Sequence, residues 1–251
     1  MYKQNFIKEV VLEIKFNSPI TDLKSTALMR FKNGLKFKDV EFKEETIRRF
    51  ELDVKDGSQS FDISTVGKKA TFRFDGGINK FVLDNGGFLL AVKKYENFKK
   101  FFDIFKLGFI VFTQNFAIKE FKRVGLRYIN RIQIDKIKKI SEWSKFINSS
   151  FIPNYKRTII KDTNLTTRRN INTFVFGDGE YFVNIHAGIW NNNFPSKIID
   201  KNFIIDIDCY VDNLILSNND IQHRPKKMNI ITFNCFESLV TSKFKEILGE
   251  A

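Results

Sequence analysis

The residues with the most evident chemical potential are three arginines at a fixed interval, Arg123, Arg127 and Arg131. They lie in Arg123-Val124-Gly125-Leu126-Arg127-Tyr128-Ile129-Asn130-Arg131, whose alternation predicts a strand from Arg123 to Asp135. Alternate strand residues share a face, so Val124, Leu126, Tyr128, Ile132 and Ile134 point one way and the three arginines the other, about 13 Å apart. Phosphates of an extended strand are spaced about 6–7 Å, roughly twice the ~3.4 Å of a stacked duplex strand. An arginine every fourth residue therefore meets every second phosphate with a fork of donors that suits it. Arg73, on the polar side of Ala70–Asp75, and Asn184 and His186, opposite Val183 and Ile185, extend the candidate surface. The loop cations Arg168, Arg169, Arg224, Lys226 and Lys227 add salt-dependent attraction. This reading requires the three guanidinium groups to project together from an exposed sheet face, unclasped by acids.

Glu13, Asp206 and Asp208 fall on the same side of their own strands and give the surface two other meanings. Paired with the arginines across strands, they make an ion ladder with no ligand, each pair contributing about 0.2–1 kcal/mol. Alternatively, Asp206 and Asp208 share a face about 7 Å apart and with Glu13 offer Mg²⁺ the oxygen ligands a nuclease uses. Arginines within reach argue against that metal site. Other catalytic signals are sparse. The histidines, His186 and His223, have no Ser or Cys nucleophile in evident register, and Cys209 and Cys235 lack CxxC spacing and read as reduced, buried thiols. Gly76-Gly77 and Gly86-Gly87 are hairpin turns without the strand-to-helix setting of a phosphate loop. The expectation is a non-enzymatic protein with no metal and no cofactor.

The formal charge of +13 favours a polyanionic partner. It needs discounting, because only 11 of the 42 basic residues are Arg and the abundance of Lys, Asn, Ile and Phe is what AT-rich codons produce. The 29 Phe exclude intrinsic disorder. No apolar run reaches the ~20 residues of a membrane helix; Asp103, Lys106 and Gln114 interrupt the best candidate, Phe101 to Phe116. With no secretion signal in Met1–Val10, a cytoplasmic location is expected, and the sequon Asn148-Ser149-Ser150 then has no role.

The elements that must position these residues repeat in two halves, 1–120 and 121–251, each reading strand, helix, several strands, long helix. The first half has a strand at Val10–Phe16 and a helix after Pro19 burying Leu23, Ala27, Leu28, Phe31 and Leu35. Strands follow at Ile47–Val54, Ser60–Val66, Ala70–Asp75 and Asn79–Val92, with Gly67 as one turn, and then a helix from Tyr95 to Asn115. The second half has the arginine strand, a helix at Ser141–Asn148, and strands at Arg157–Leu165, Ile171–Phe176, Tyr181–Ile189 and Phe203–Val211. A terminal helix, Met228 to Leu248, has Ile230, Phe233, Phe236, Leu239, Val240, Phe244 and Ile247 inward. This predicts an α+β fold, a curved antiparallel sheet with long helices on one face. It is similar to the tandem saddle of the TATA-box-binding protein.

The Arg-x-Gly-Leu-Arg-Tyr-Ile-Asn segment from Arg123 to Asn130 resembles the signature of a sporadically distributed family of uncharacterised bacterial proteins of similar length. Glu13 in the early strand, the Ile205-Asp206-Ile207-Asp208 strand and the Phe236-containing terminal helix match that family's order. The resemblance implies no established activity, and the patchy distribution is similar to that of antiviral-defence genes. The expected function is contact with RNA or DNA phosphates through the open sheet face, as a subunit of a bacterial defence or toxin–antitoxin-like system. The alternatives are a protein–protein adaptor, with a protein partner or a second copy of itself, and thirdly the Mg²⁺-dependent nuclease.

Overall fold

The computed structural model of the protein describes residues 6–55, 58–134, 137, 139–152, 169–199 and 202–249. Among the described residues, nine strands form one antiparallel sheet. They are β1 (Ile7–Phe16), β2 (Glu41–Lys55), β3 (Ser58–Phe74), β4 (Asn79–Asp84), β5 (Gly87–Val92), β6 (Phe121–Ile132), β7 (Asn170–Gly177), β8 (Phe182–Ile189) and β9 (Phe203–Leu216). Their order is β2-β3-β4-β5-β1-β6-β9-β8-β7. The four α-helices among the described residues are α1 (Ser25–Gly34), α2 (Phe98–Asn115), α3 (Asn218–Leu239) and α4 (Ser242–Leu248). Two backbone bonds outside the ends of β1 and β6, Arg131 N–H to Phe6 O at 2.9 Å and Asn17 N–H to Glu120 O at 3.1 Å, fix those strands antiparallel. The chain divides into two compact units, one of Leu12–Val124 with Asn213–Gln222, the other of Met1–Val11, Gly125–Asp212 and His223–Ala251.

Phenylalanine builds the first unit. Inward positions of the strands supply Phe16, Phe72, Phe74, Phe81 and Phe88, all essentially unexposed. Phe31 of α1 inserts among them, 4.8 Å from Phe72 and 5.8 Å from Phe88. Along α2, Phe101, Phe102, Phe105, Phe109 and Phe112 recur at helical spacing and face the sheet. Burying each ring contributes about 1.5–3 kcal/mol, and favourable pair geometry about 0.5–1.5 more. The Asn97 side chain caps α2, accepting from Lys100 N–H at 2.9 Å. Gly108 sets how closely α2 lies on β4, because a Cβ there would fall on the Phe81 ring.

Aliphatic residues build the second unit. Phe203, Ile205, Ile207, Cys209 and Val211 of β9 alternate inward beside Val183, Ile185, Ala187 and Ile189 of β8. Trp143, from a 3-10 segment at Ile140–Lys145, is 0% exposed with its ring 5.2 Å from Phe203. The polar tip of buried Tyr128 is satisfied, donating to Asn229 Oδ1 at 2.7 Å.

Four expectations about local structure change. Gly67 is not a turn: β2 and β3 pair continuously through it, with a register shift at Ile47/Arg48, so the glycine serves a bulge. Asn85 holds that point, its Oδ1 accepting from Lys68 N–H at 2.6 Å. The expected helix at Ser141–Asn148 is two short 3-10 segments, Ile140–Lys145 and Ser149–Phe151. The terminal helix starts ten residues early, where Ser217 and Asp220 cap it reciprocally at 2.9 and 3.3 Å. It stops before Thr241, which caps α4. That early start sets its buried stripe as Ile221, Pro225, Met228, Thr232 and Leu239, so Ile230 and Phe233, expected inward, are 58% and 52% exposed. The expected strand at Arg157–Leu165 lies outside the described residues.

Candidate functional site

The alternation of β6 places Arg123, Arg127 and Arg131 on its less buried face, with Val124, Leu126, Tyr128 and Ile132 buried. Each guanidinium, however, has a protein partner. In the first unit Arg123 Nη1 meets Glu13 Oε2 at 3.2 Å, and Lys15 Nζ takes Glu13 Oε1 at 2.8 Å. Within the second unit Arg127 grips Asp206 with two parallel bonds, Nε to Oδ1 at 2.8 Å and Nη2 to Oδ2 at 2.6 Å. The Asn202 amide, with its oxygen turned to the guanidinium, accepts from Arg131 Nε at 3.0 Å and Nη2 at 2.8 Å. The requirement that the stripe be unclasped by acids is thus not met at Arg123 or Arg127.

Electrostatics strengthen that point. Hydrogen bonding to Asp206 raises the Arg127 pKa further against the opposing effect of burial, and the charges of Asp206, Asp208 and Glu9 act in the same direction. The Asp206 side chain is only 11% exposed and that of Arg127 46%, so the carboxylate is the member that depends on its partner. An incoming phosphate would have to displace that carboxylate and leave it buried with an unpaired charge, an expensive exchange.

Across β7 and β8 the polar residues form rows. Thr173 stands opposite His186, and His186 opposite Asp206; Val175 stands opposite Asn184, and Asn184 opposite Asp208. Thr173 Oγ1 lies 3.1 Å from His186 Nδ1. Hydroxyl, imidazole and carboxylate in line suggest a nucleophile triad, but both Asp206 oxygens accept from Arg127 and do not orient the imidazole. Phe182 and Tyr210 complete this face as a stacked pair at 5.6 Å. Their side follows from strand parity with His186 and Asp208. Of the cations expected in loops, Arg224, Lys226 and Lys227 lie instead on α3, where Arg224 and Lys227 share Glu180 at 2.6 and 3.4 Å, and Arg169 lies over the Trp190 ring at 4.2 Å. Lys226 is exposed, and Arg168 lies outside the described residues. No group of three or more His, Cys, Asp or Glu side chains placed to hold a metal ion occurs among the described residues.

Two basic features in the first unit differ from the stripe. Arg73 is exposed on β3 and lies directly opposite Lys80 on β4, a like-charge pair that costs stability unless an anion or water intervenes. Glu41 faces Arg73 from β2, but no ion pair among the described residues joins them. The stronger feature is α1 with its flanks. Lys24, Arg30, Lys32, Lys36 and Lys38 occur with no acidic residue between Asp22 and Asp39, and four of the five are exposed. None of them makes an ion pair among the described residues. Ala27, Leu28 and Phe31 anchor the helix and leave Arg30 and Lys32 on either side of its outer stripe of Thr26, Met29 and Asn33. Strand parity does not point to this segment; the signal that finds it is the run of like charge itself.

No protein-family model matches the chain, and no curated protein matches it.

Proposed function

We propose that the protein is a non-enzymatic basic protein that binds RNA or DNA phosphates, and that the α1 segment from Lys24 to Lys38 is where it meets them. The single observation carrying this reading is the set of five cations that have no acidic partner among the described residues, in contrast to the acid-clasped Arg123 and Arg127. Cations already neutralised at short range release few counterions on binding a phosphate, whereas unpaired ones release nearly one each. The β6 stripe then acts as a ladder that stiffens the sheet, and Arg73 with Lys80 adds a secondary positive point. Asp206 and Glu13, committed to arginine and lysine, are poor ligands for Mg²⁺, so the nuclease reading has little support. The tandem-saddle fold belongs to the same proposal and is supported by the succession β1-α1, β2 to β5, α2, then β6, β7 to β9, α3. A role in a bacterial defence or toxin–antitoxin-like assembly, and membership of the family with the Arg-x-Gly-Leu-Arg-Tyr-Ile-Asn signature, rest on the resemblance alone.

The test is fluorescence anisotropy with single- and double-stranded oligonucleotides across a salt series. Binding whose log K falls steeply with log salt is expected. Replacing Lys24, Arg30, Lys36 and Lys38 by Ala should reduce the slope by about 0.7–0.9 for each phosphate that is no longer neutralised. An unchanged slope in that variant overturns the assignment to α1. The ion ladder favours a second reading, the protein–protein adaptor, which salt-insensitive failure to bind any oligonucleotide would promote.

A further inference from the structure

The first unit contains a cleft in which no α1 residue takes part. It holds about 340 Å³, at the lower end of the ~300–1,000 Å³ typical of small-molecule sites. The turn over 75–78, the start of β4, the end of β5 and the first turns of α2 surround it, so every wall belongs to one unit. Val92 and Phe101, both 2% exposed, form its floor with Ile104, and Ile78 stands at the mouth, 46% exposed. Tyr95 lines one side, half-buried, its ring 6.2 Å from that of Phe101 and inclined at 59°. Two polar residues share this apolar setting. Asn79 is 4% exposed and two bonds fix its amide: Oδ1 accepts from Lys93 N–H at 3.1 Å, and Nδ2 donates to Asp75 Oδ2 at 2.7 Å. The second Nδ2 hydrogen and Asp75 Oδ1 have no partner among the described residues. A donor and an acceptor are thus left side by side on residues that line the cleft.

We infer that this cleft is a nucleotide-binding site, in which a purine base lies against Tyr95, gives an N–H to Asp75 and accepts one from Asn79. A nucleobase edge carries an N–H donor next to a ring-nitrogen or carbonyl acceptor, the complement of the Asp75 and Asn79 pair. The Tyr95 ring and the aliphatic walls suit the faces of a flat heterocycle. A two-ring base covers more of those walls than a one-ring base, which favours purines. Lys94, exposed at the rim and in no ion pair among the described residues, suits the phosphate. Its charge acts on Glu96, but that carboxylate is bonded to Lys100. Simpler ligands fit less well. An amine would satisfy Asp75 and leave the Asn79 hydrogen unpaired, and a bare phosphate or carboxylate would be set against Asp75. The same chemistry is offered by a free nucleotide and by an unstacked purine of a single strand.

Isothermal titration calorimetry of the purified chain, freed of nucleic acid, should show saturable one-to-one binding of AMP or GMP. The matching nucleoside should bind more weakly and ribose 5-phosphate not at all. Asp75 has φ 53°, a conformation Asn also adopts, so Asp75→Asn keeps the backbone and the side-chain size while setting an amide where the acceptor stood. It should weaken the nucleotide about 10–100-fold with circular dichroism unchanged. Lys94→Ala should erase the advantage of nucleotide over nucleoside, a split that a merely structural lysine would not produce. Competition separates the sources: a single-stranded purine oligonucleotide that displaces the mononucleotide makes the strand a ligand of the cleft, and one that does not leaves the free nucleotide. Three results overturn the proposal: no saturable binding of either purine nucleotide, ribose 5-phosphate bound as tightly as the nucleotide, or affinities unchanged in Asp75→Asn and Lys94→Ala. The variant lacking Lys24, Arg30, Lys36 and Lys38 should bind the nucleotide as the unaltered chain does, so the α1 assignment can fail without this one.

Discussion

Removing the charge from Arg127 while keeping its apolar stem, as Arg127→Met does, leaves Asp206 with no cation at either oxygen. Breaking a fully buried ion pair costs about 3–5 kcal/mol, and an exposed pair is worth about 0–1. With Asp206 at 11% side-chain exposure and Arg127 at 46%, the cost for Arg127→Met falls between, at about 1.5–2 kcal/mol at neutral pH. The reverse change, Asp206→Asn, orphans the member that already reaches water and should cost only about 0.5–1 kcal/mol. The double variant should be no worse than Asp206→Asn alone, because a neutral amide beside a methionine carries no buried charge. At a urea slope of about 2–3 kcal/mol/M, the Arg127→Met midpoint moves down by roughly 0.5–1 M. Urea titration followed by circular dichroism, run on all four chains, completes a double-mutant cycle. Equal costs for the two single changes, or simple additivity in the double, would refute the view that the carboxylate depends on the guanidinium. Removal of Arg127 should also leave the salt slope of oligonucleotide binding unchanged, which separates the ladder from the α1 surface.

Gly108→Ala should destabilise the chain by about 1–2 kcal/mol. Helix propensity alone would favour Ala by about 1 kcal/mol, but the added methyl meets the Phe81 ring and overpacking costs more; a raised melting temperature would contradict this. Burial pushes the Cys209 thiol up to about 12 and the Cys235 thiol upward too. Alkylation of Cys209 at pH 8 should therefore be undetectable in the folded chain and rapid in urea, as mass spectrometry can check. Folded thiols that resist ionisation give a contribution to stability that is fully present below the ordinary thiol range of about 8.5–9 and is lost progressively as pH rises from there toward the folded Cys209 value of about 12. Urea midpoints taken from pH 8 to 11 should thus fall, and should fall less in a Cys209→Ala variant relative to its own value at pH 8. Ser217→Ala removes one half of the α3 cap and should cost about 1 kcal/mol, measured by the same titration.

Local periodicity carries information where neighbours in sequence are also neighbours in space. The phenylalanine spacing of α2 and the alternation in β8 and β9 are of that kind, and these elements lie where the pattern puts them. Gly67 has the residue type of a turn, but its role comes from pairing with Ile47 twenty residues away and from the Asn85 side chain. In α3 an amphipathic stripe could be drawn through Ile230 and Phe233, yet the helix takes its phase from Ser217-Asn218-Asn219-Asp220, a capping signature upstream of the apolar stretch. Parity alone placed Glu13 and Asp206 on the face of the arginines. Which acid meets which arginine depends on the order β1-β6-β9, set by pairings as far apart as the 110 residues between Glu13 and Arg123, and no local pattern encodes that. The α1 cations were legible as a run without acids, while their lack of ion pairs among the described residues depends on where distant carboxylates lie.

Both tryptophans of the chain, Trp143 and Trp190, belong to the unit that contains β7, β8 and most of β9, and the phenylalanine-rich unit has none. Its one strong chromophore besides phenylalanine is Tyr95. Indole emission is therefore a private optical channel for the aliphatic unit, dominated by a ring sealed at Trp143, and loss of the other unit's structure passes unseen in it. Near-ultraviolet dichroism from the stacked phenyl rings supplies the complementary channel. A single denaturation run observed through both would reveal whether the units melt in one step or two, with no label attached.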